Sequence, residues 1–285
     1  MIKSVFKTKS KEYNVDYEQL LLDIVEKQGV ISKCFEMFHE YSIRNQFLAY
    51  HQMKMRGMDI CPINSFTGWN KLERSINRGE KALWLWQPFT IKEKTYNTKT
   101  KEFEDTEKVI FTLKPRWFAL SQTNGKELKQ AEHVKIGEFD FDKVYKLYNI
   151  KIVPFDKLNG NSQGFARHGS EHAIALNPLV EDAEMTLLHE IAHVALGHTT
   201  DRKDLCHALK EIEVESVAYI VGNITGIDED ALARSRGYIQ SYIKELKQDF
   251  KSLPKANVEK IMSVASKIIN TGLGLNKSKQ KQKVA

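Results

Sequence analysis

The stretch Thr186-Leu187-Leu188-His189-Glu190-Ile191-Ala192-His193-Val194-Ala195-Leu196-Gly197-His198 sets two histidines four residues apart inside a helical apolar pattern. At positions i and i+4 they lie about 6 Å apart along the axis and on one face, so both imidazoles can reach one Zn²⁺. Glu190, beside the first of them, is placed to take a proton from an attacking water and pass it to a leaving amine. The pattern predicts a helix over 181–196, closed by Gly197.

A third ligand is expected on the next helix. Glu211, Glu213 and Glu215 follow in the segment Lys210-Glu-Ile-Glu-Val-Glu-Ser216. Glu211 and Glu215 share a helical face, from which Glu213 points away. Glu211 is assigned as the ligand that completes a two-His-one-Glu catalytic zinc set with an open fourth position. Glu215 then holds the remaining N–H of a ligand histidine, the reverse order also being open. His198 is near in sequence, but it follows the glycine turn and its spacing departs from that of metzincins, which disfavours it as a ligand and leaves metal contact as the lesser alternative. A purely structural zinc is disfavoured, because structural sites are normally closed by four protein ligands.

Working outward, 285 residues with 41% hydrophobic and 28% charged side chains are enough for a real core and exclude a fully disordered or low-complexity chain. No apolar run approaches the ~20 residues that span a bilayer. The basic start lacks the apolar segment of a signal peptide. Cys34, Cys61 and Cys206 are far apart, with no CxxC, which argues against a disulfide framework. A reducing cytoplasmic location is expected.

The net charge of +6 is uneven. Residues 1–127 carry 21 Lys and Arg against 16 Asp and Glu, residues 128–275 carry 18 against 21, and the last ten add four lysines and no acid. The first half and the tail are therefore the parts that could meet a polyanion.

Helices are predicted at 17–28, with Asp16 as cap, and at 32–56. Strands are predicted at 81–91 and 109–120, joined by a charged segment at 92–108 that reads as a solvated hairpin loop or a mobile arm. After a boundary within 125–137, the pattern gives a helix at 141–148 and short strands at 150–153, 165–167 and 172–176. The last of these is read as a sheet edge that can receive a peptide as an added strand. Further helices are expected at 205–221, 228–250 and 258–269. The tail after Leu275 reads as disordered.

All four tryptophans (Trp69, Trp84, Trp86 and Trp117) fall in the first 117 residues, interleaved with Lys71, Arg74, Arg78, Lys81, Lys114 and Arg116. Single-stranded nucleic acid needs aromatic faces for base stacking beside cations for phosphates. A core role for most of these indoles is the competing reading.

Several short motifs occur in order: Tyr41-Ser42-Ile43-Arg44-Asn45-Gln46, Gly68-Trp69-Asn70-Lys71-Leu72, Arg78-Gly79-Glu80-Lys81-Ala82 and Phe118-Ala119-Leu120-Ser121-Gln122-Thr123. They resemble the N-terminal domain of ArdC-type antirestriction proteins. The HExxH segment and the glutamate-rich helix after it are similar to the zincin-like domain that follows there, akin to ImmA/IrrE peptidases. The resemblance implies a single-stranded-DNA-binding module of a mobile element, fused to a metallopeptidase-like domain, that blocks restriction of incoming DNA. It places Asn45, Trp69, Arg78 and Lys81 in or near the DNA-binding module. With the basic and aromatic neighbours above, the expected DNA surface comprises Arg44, Asn45, Trp69, Lys71, Arg74, Arg78, Lys81, Trp84 and Trp86. One departure is Glu73, where the pattern has glycine before Arg74.

The fold expected is α+β in two domains. Residues 1–127 form an α+β module that binds single-stranded DNA. Residues 128–275 form a mostly helical gluzincin-like zinc peptidase domain with a small antiparallel sheet, and 276–285 a basic tail. The alternative is a zinc endopeptidase that cleaves a repressor or host defence protein, with the first half recognising protein.

Overall fold

The computed structural model describes residues 13–97, 101–128, 138–156, 162–202, 204–249 and 252–275. The lysine-rich tail and most of the 125–137 boundary lie outside them. The architecture is α+β: helices build one continuous core, and three small sheets are set around it.

Asp16 caps α1 (Tyr17–Glu26), accepting from the Gln19 N–H as the sequence pattern requires. The single helix expected over 32–56 is instead two, α2 (Val30–Phe38) and α3 (Ile43–Met55). The break falls where Ser42, in extended conformation, caps α3 by accepting from Asn45 N–H. The apolar period runs through this break, which is why the pattern alone missed it.

β1 (Ile63–Ser65) leads into the short α4 (Phe66–Lys71) and β2 (Arg74–Ile76). β3 (Leu83–Asn97) and β4 (Glu102–Ala119) pair antiparallel from Leu83↔Trp117 to Asn97↔Glu102, with one irregularity at Leu83/Trp84. The polar residues 92–97 and 102–108 thus continue as paired strand, the hairpin arm of the two alternatives. Its strand character comes from ladder hydrogen bonds and cross-strand pairs such as Thr95 Oγ1 to Thr106 Oγ1 at 2.7 Å, which a reading of apolar runs does not detect. β4 is central in the order β1-β4-β3, and β5 (Thr123–Gly125) pairs with β2.

The outer edge of β3 is closed in an unusual way. Asn45 Nδ2 donates to Trp86 C=O at 2.9 Å while its Oδ1 accepts from Trp86 N–H at 2.8 Å. Gln52, two turns along α3, does the same to Trp84, at 2.8 and 2.9 Å. Two side-chain amides therefore stand in for a neighbouring strand and satisfy an edge that would otherwise be open. Asn45→Ala is expected to lower unfolding stability by about 2–3 kcal/mol, because two backbone groups lose their partners in a half-buried setting. A denaturant midpoint equal to the parent's would contradict this role.

Glu73 turns the chain between α4 and β2 at φ 58°, the left-handed region that favours glycine. The departure noted in the sequence is thus a strained position. It is packed closely, since a Cβ on Gly125 would collide with the Glu73 carbonyl. Glu73→Gly is expected to raise stability by about 0.5–1 kcal/mol, read as a higher melting temperature. The exposed ion pair it removes, to Lys126, is worth little.

α5 (Phe141–Tyr148) precedes β6 (Ile150–Ile152), β7 (Gly164–His168) and β8 (His172–Leu176). Their order is β6-β8-β7, with β6 parallel and β7 antiparallel to β8, so this sheet is mixed rather than wholly antiparallel. The strand 172–176 expected at the edge is the central one. Its Ile174 and Ala175 are fully buried, as a strand covered on both faces requires, and β6 and β7 are the outer strands.

α6 (Ala183–Leu196) ends at Gly197, φ 81°. α7 (His207–Thr225) is buried along most of its length and packs against α6, α8 (Glu229–Asp249), α9 (Lys255–Gly272) and α2. The buried side chains of α1–α3 and of α6–α9 form one core. No helix among the described residues is long and apolar enough to cross a membrane.

Candidate metal centre

α6 presents His189 and His193 on one face, and α7 brings Glu211 against them. Nε2 of His189 lies 3.2 Å from Nε2 of His193, and the Glu211 oxygens stand 3.6 Å from the first and 3.8 Å from the second. Metal–ligand bonds of 2.0–2.1 Å at tetrahedral angles put ligand atoms about 3.3 Å apart. The triangle therefore has the size that one divalent ion requires, and these three residues form a potential metal-holding group among the described residues.

Each imidazole is held so that Nε2 keeps its lone pair. His189 Nδ1 lies 3.0 Å from Glu215 Oε1, and Ser235 Oγ donates to the other Glu215 oxygen at 2.6 Å. Glu215 thus lies behind His189, while Glu211 faces both Nε2 atoms. Behind His193 runs a longer relay: His193 Nδ1 is 3.2 Å from His198 Nδ1, and His198 Nε2 is 2.7 Å from Glu213 Oε2. The Glu213 carboxylate accepts from His198 Nε2–H, which leaves His198 Nδ1 as acceptor for the proton on His193 Nδ1. His198 therefore sits behind His193, outside the triangle of His189, His193 and Glu211.

Glu213 is fully buried, with Arg202 donating to both of its oxygens at 2.7 and 2.8 Å and Asn257 Nδ2 at 2.7 Å. Burial alone would raise its carboxyl; hydrogen bonds from His198, Arg202 and Asn257 more than offset this and hold it below the usual range. Burial, with the neighbouring His189 and His198, lowers His193 to about 3, so it stays neutral. For His189 burial works against protonation, but the hydrogen bond and charge of Glu215, with Glu190 and Glu211, outweigh it and raise the value.

Sequence reading missed Glu213, Arg202 and Asn257 as supports of the site. The available signal was an acidic residue on the buried face of a helix next to a candidate ligand. A buried carboxylate requires partners.

Glu190 is 7% exposed and lies against the β7 edge. A Cβ on Gly164 would sit 3.2 Å from its Cγ and Oε1, so glycine there leaves room for the carboxylate. Two cavities meet at Glu190. One, about 400 Å³, is bounded by Gly164, Met185, His189, Glu215 and Tyr238. The other, about 540 Å³, is bounded by Phe165–His168, His193, Thr199 and Lys210.

The residues expected at a DNA surface do not form one patch. Trp69 is 1% exposed, with Nε1 donating to Phe118 C=O at 2.9 Å, so it has no free face for a base. Asn45 is committed to Trp86, and Arg74 to Thr123 and the Gly125 carbonyl. Those three residues hold the fold. Arg44 lies over the Trp86 ring at 3.8 Å and pairs with Glu259 of α9. Trp84 stacks on Tyr13 with ring centroids 5.9 Å apart. Lys71, Arg78 and Lys81 are exposed around α4 and β2.

Together these features define an α+β protein with a His–His–Glu cluster on two packed helices, at the floor of an open cleft. The chain is similar in outline to the crystal structure of the antirestriction ArdC protein from the R388 plasmid, metal-free, at 16% identity. That match has a TM-score of 0.47 and covers 92% of this chain and 99% of that one. It is also similar to the Mn(II)-bound structure of that protein, at 14% identity and a TM-score of 0.43, covering 93% and 98%. No family model and no curated protein matches the chain.

Proposed function

We propose that this chain is an antirestriction protein of the ArdC type, in which residues 1–127 bind single-stranded DNA and residues 128–275 carry a zinc-dependent peptidase centre. The observation that carries the peptidase part is the convergence of His189, His193 and Glu211 within ion-binding distance of one another beside Glu190. When bound, Zn²⁺ brings the pKa of a water near 7 and polarises a carbonyl. The chain's own residues do the rest. His189, His193 and Glu211 hold the ion. Glu190 accepts the proton of the attacking water and hands it to the leaving amine. Glu215 and the Glu213–His198 relay keep the imidazoles in the metal-binding tautomer. The outer strand β7 hydrogen-bonds an extended substrate.

The DNA-binding part rests on the ordered motifs between Tyr41 and Thr123, on the basic excess of the first half and on exposed Lys71, Arg78 and Lys81. Titration with labelled single- and double-stranded oligonucleotides at two salt concentrations, with metal analysis of the same samples, tests it. Salt-sensitive single-strand binding, weakened by serine at those three positions, with one zinc per chain is expected. Absence of DNA binding with zinc present would assign the first half to protein recognition. The exposed Phe89, Val109 and Phe111 of the β3–β4 arm favour that second reading.

A further inference from the structure

A second pair of histidines stands apart from the triangle of His189, His193 and Glu211. His168 ends β7 and His172 begins β8, directly opposite each other across the turn of Gly169, Ser170 and Glu171. Asn177 N–H donates to the Gln163 carbonyl at 2.8 Å, and Gly169 N–H to the Glu171 carbonyl at 3.0 Å. Ladder hydrogen bonds therefore fall on the odd positions of β7, and His168 meets His172 in a non-hydrogen-bonded pair. In such pairs the Cα atoms are about 4.5 Å apart and the side chains approach most closely. The two ring centres are 4.5 Å apart, against 4.9 Å for His189 and His193. Nitrogens held on one ion at about 2.0–2.1 Å and near a right angle put their ring centres about 4.5 Å apart.

Strand alternation puts both rings on the sheet face that carries Gly164 and Ile174, the face turned toward α6. Arg167 lies on the other face, its guanidinium 5.2 Å from the Phe165 ring. Thr199, in the turn after α6, places its Oγ1 3.3 Å from His172 Nδ1. With Nδ1–H donating to that hydroxyl, the Nε2 lone pair of His172 is left for a metal. Burial and the neighbouring His168 lower His172 below the ordinary histidine range, which favours the neutral ring that a metal needs. Neither ring belongs to the donor group of His189, His193 and Glu211, so the two sets hold separate ions.

We propose that His168 and His172 form a second transition-metal site, a two-imidazole chelate whose remaining positions are filled by water. Imidazole donors suit Cu²⁺, Ni²⁺ and Zn²⁺, with Cu²⁺ bound most tightly in that series. With two protein donors and no carboxylate, the pair binds more weakly than the triangle. The site depends on neither the peptidase nor the DNA-binding reading.

Calorimetric titration of the full-length, chelator-treated protein with Ni²⁺ tests it, on variants that keep the parent's circular dichroism. Two ions per chain are expected for the parent and one for His168→Ala/His172→Ala. Should the alanine protein fail to fold, His168→Gln/His172→Gln keeps much of the volume and is expected to give the same single ion. His189→Ala/His193→Ala is also expected to keep one ion, and with Cu²⁺ its spin-resonance spectrum should show two coupled nitrogens. Adding His168→Ala to that protein should weaken the remaining ion by at least the ~10–100-fold that loss of an outer partner costs at a metal site. A parent that takes up a single ion overturns the site, and so does a second ion retained by His168→Ala/His172→Ala. Loss of both ions in His189→Ala/His193→Ala overturns it equally, since the second ion would then sit on the triangle.

Discussion

Glu190→Gln is expected to keep one metal ion per chain, at the parent's affinity, while peptide hydrolysis falls by roughly 10²–10⁴-fold. The three donors of the cluster are His189, His193 and Glu211, and Glu190 is not among them. The amide has the shape of the carboxylate, so the close fit against Gly164 is preserved. What disappears is the ability to accept a proton. His193→Ala should behave oppositely, since it removes one corner of the donor triangle and leaves His189 and Glu211 to hold an ion alone. Metal content by mass spectrometry, with hydrolysis of a labelled unfolded protein, separates the two. Parent-like hydrolysis by the Glu190→Gln protein would sink the assigned role.

The parts of this site that were legible in the sequence are those where spacing along one helix translates directly into geometry. His189 and His193 share a face because a helix repeats every 3.6 residues. Glu211 and Glu215 share one for the same reason. Which of the two glutamates faces the histidine pair depends on how α7 rotates against α6, and that is set by packing. Glu211 approaches both Nε2 atoms, while Glu215 is drawn to His189 Nδ1 and to Ser235 of α8.

The His198 role was illegible for a related reason. Gly197 in the left-handed region folds the chain back over the end of α6, and only then does His198 lie behind His193. In the first half the same limit shows at Asn45. The family resemblance puts this residue in the DNA-binding module, yet its amide completes the hydrogen bonding of a strand 41 residues away. Trp69 similarly lends its indole N–H to β4. Local pattern gave the elements and the helix that carries the histidine pair; contacts between distant segments decided which polar residues support the fold and which face the cleft.

Glu213 supplies the second large expected effect, because one carboxylate serves both stability and the metal. Glu213→Ala would strand Arg202, His198 and Asn257, three groups that now point at its oxygens. Removing one partner from a buried charged network typically costs about 3–5 kcal/mol, and the partial exposure of Arg202 puts this case at the lower end. The same substitution frees His198 to turn over, so His193 is no longer fixed with Nε2 toward Glu211, and metal affinity is expected to fall about 10–100-fold. Denaturant unfolding in the presence of a chelator measures the first effect without the second, and competition with a metal indicator on the folded protein measures the second. Glu213→Gln retains the volume and an acceptor oxygen but not the charge, so it should lose less stability than alanine while still weakening the metal. If Glu213→Gln bound metal as tightly as the parent, the relay through His198 would have no part in holding His193. If Glu213→Ala unfolded at the parent's midpoint in chelator, the carboxylate would not be the anchor joining α7, α9 and the turn after α6.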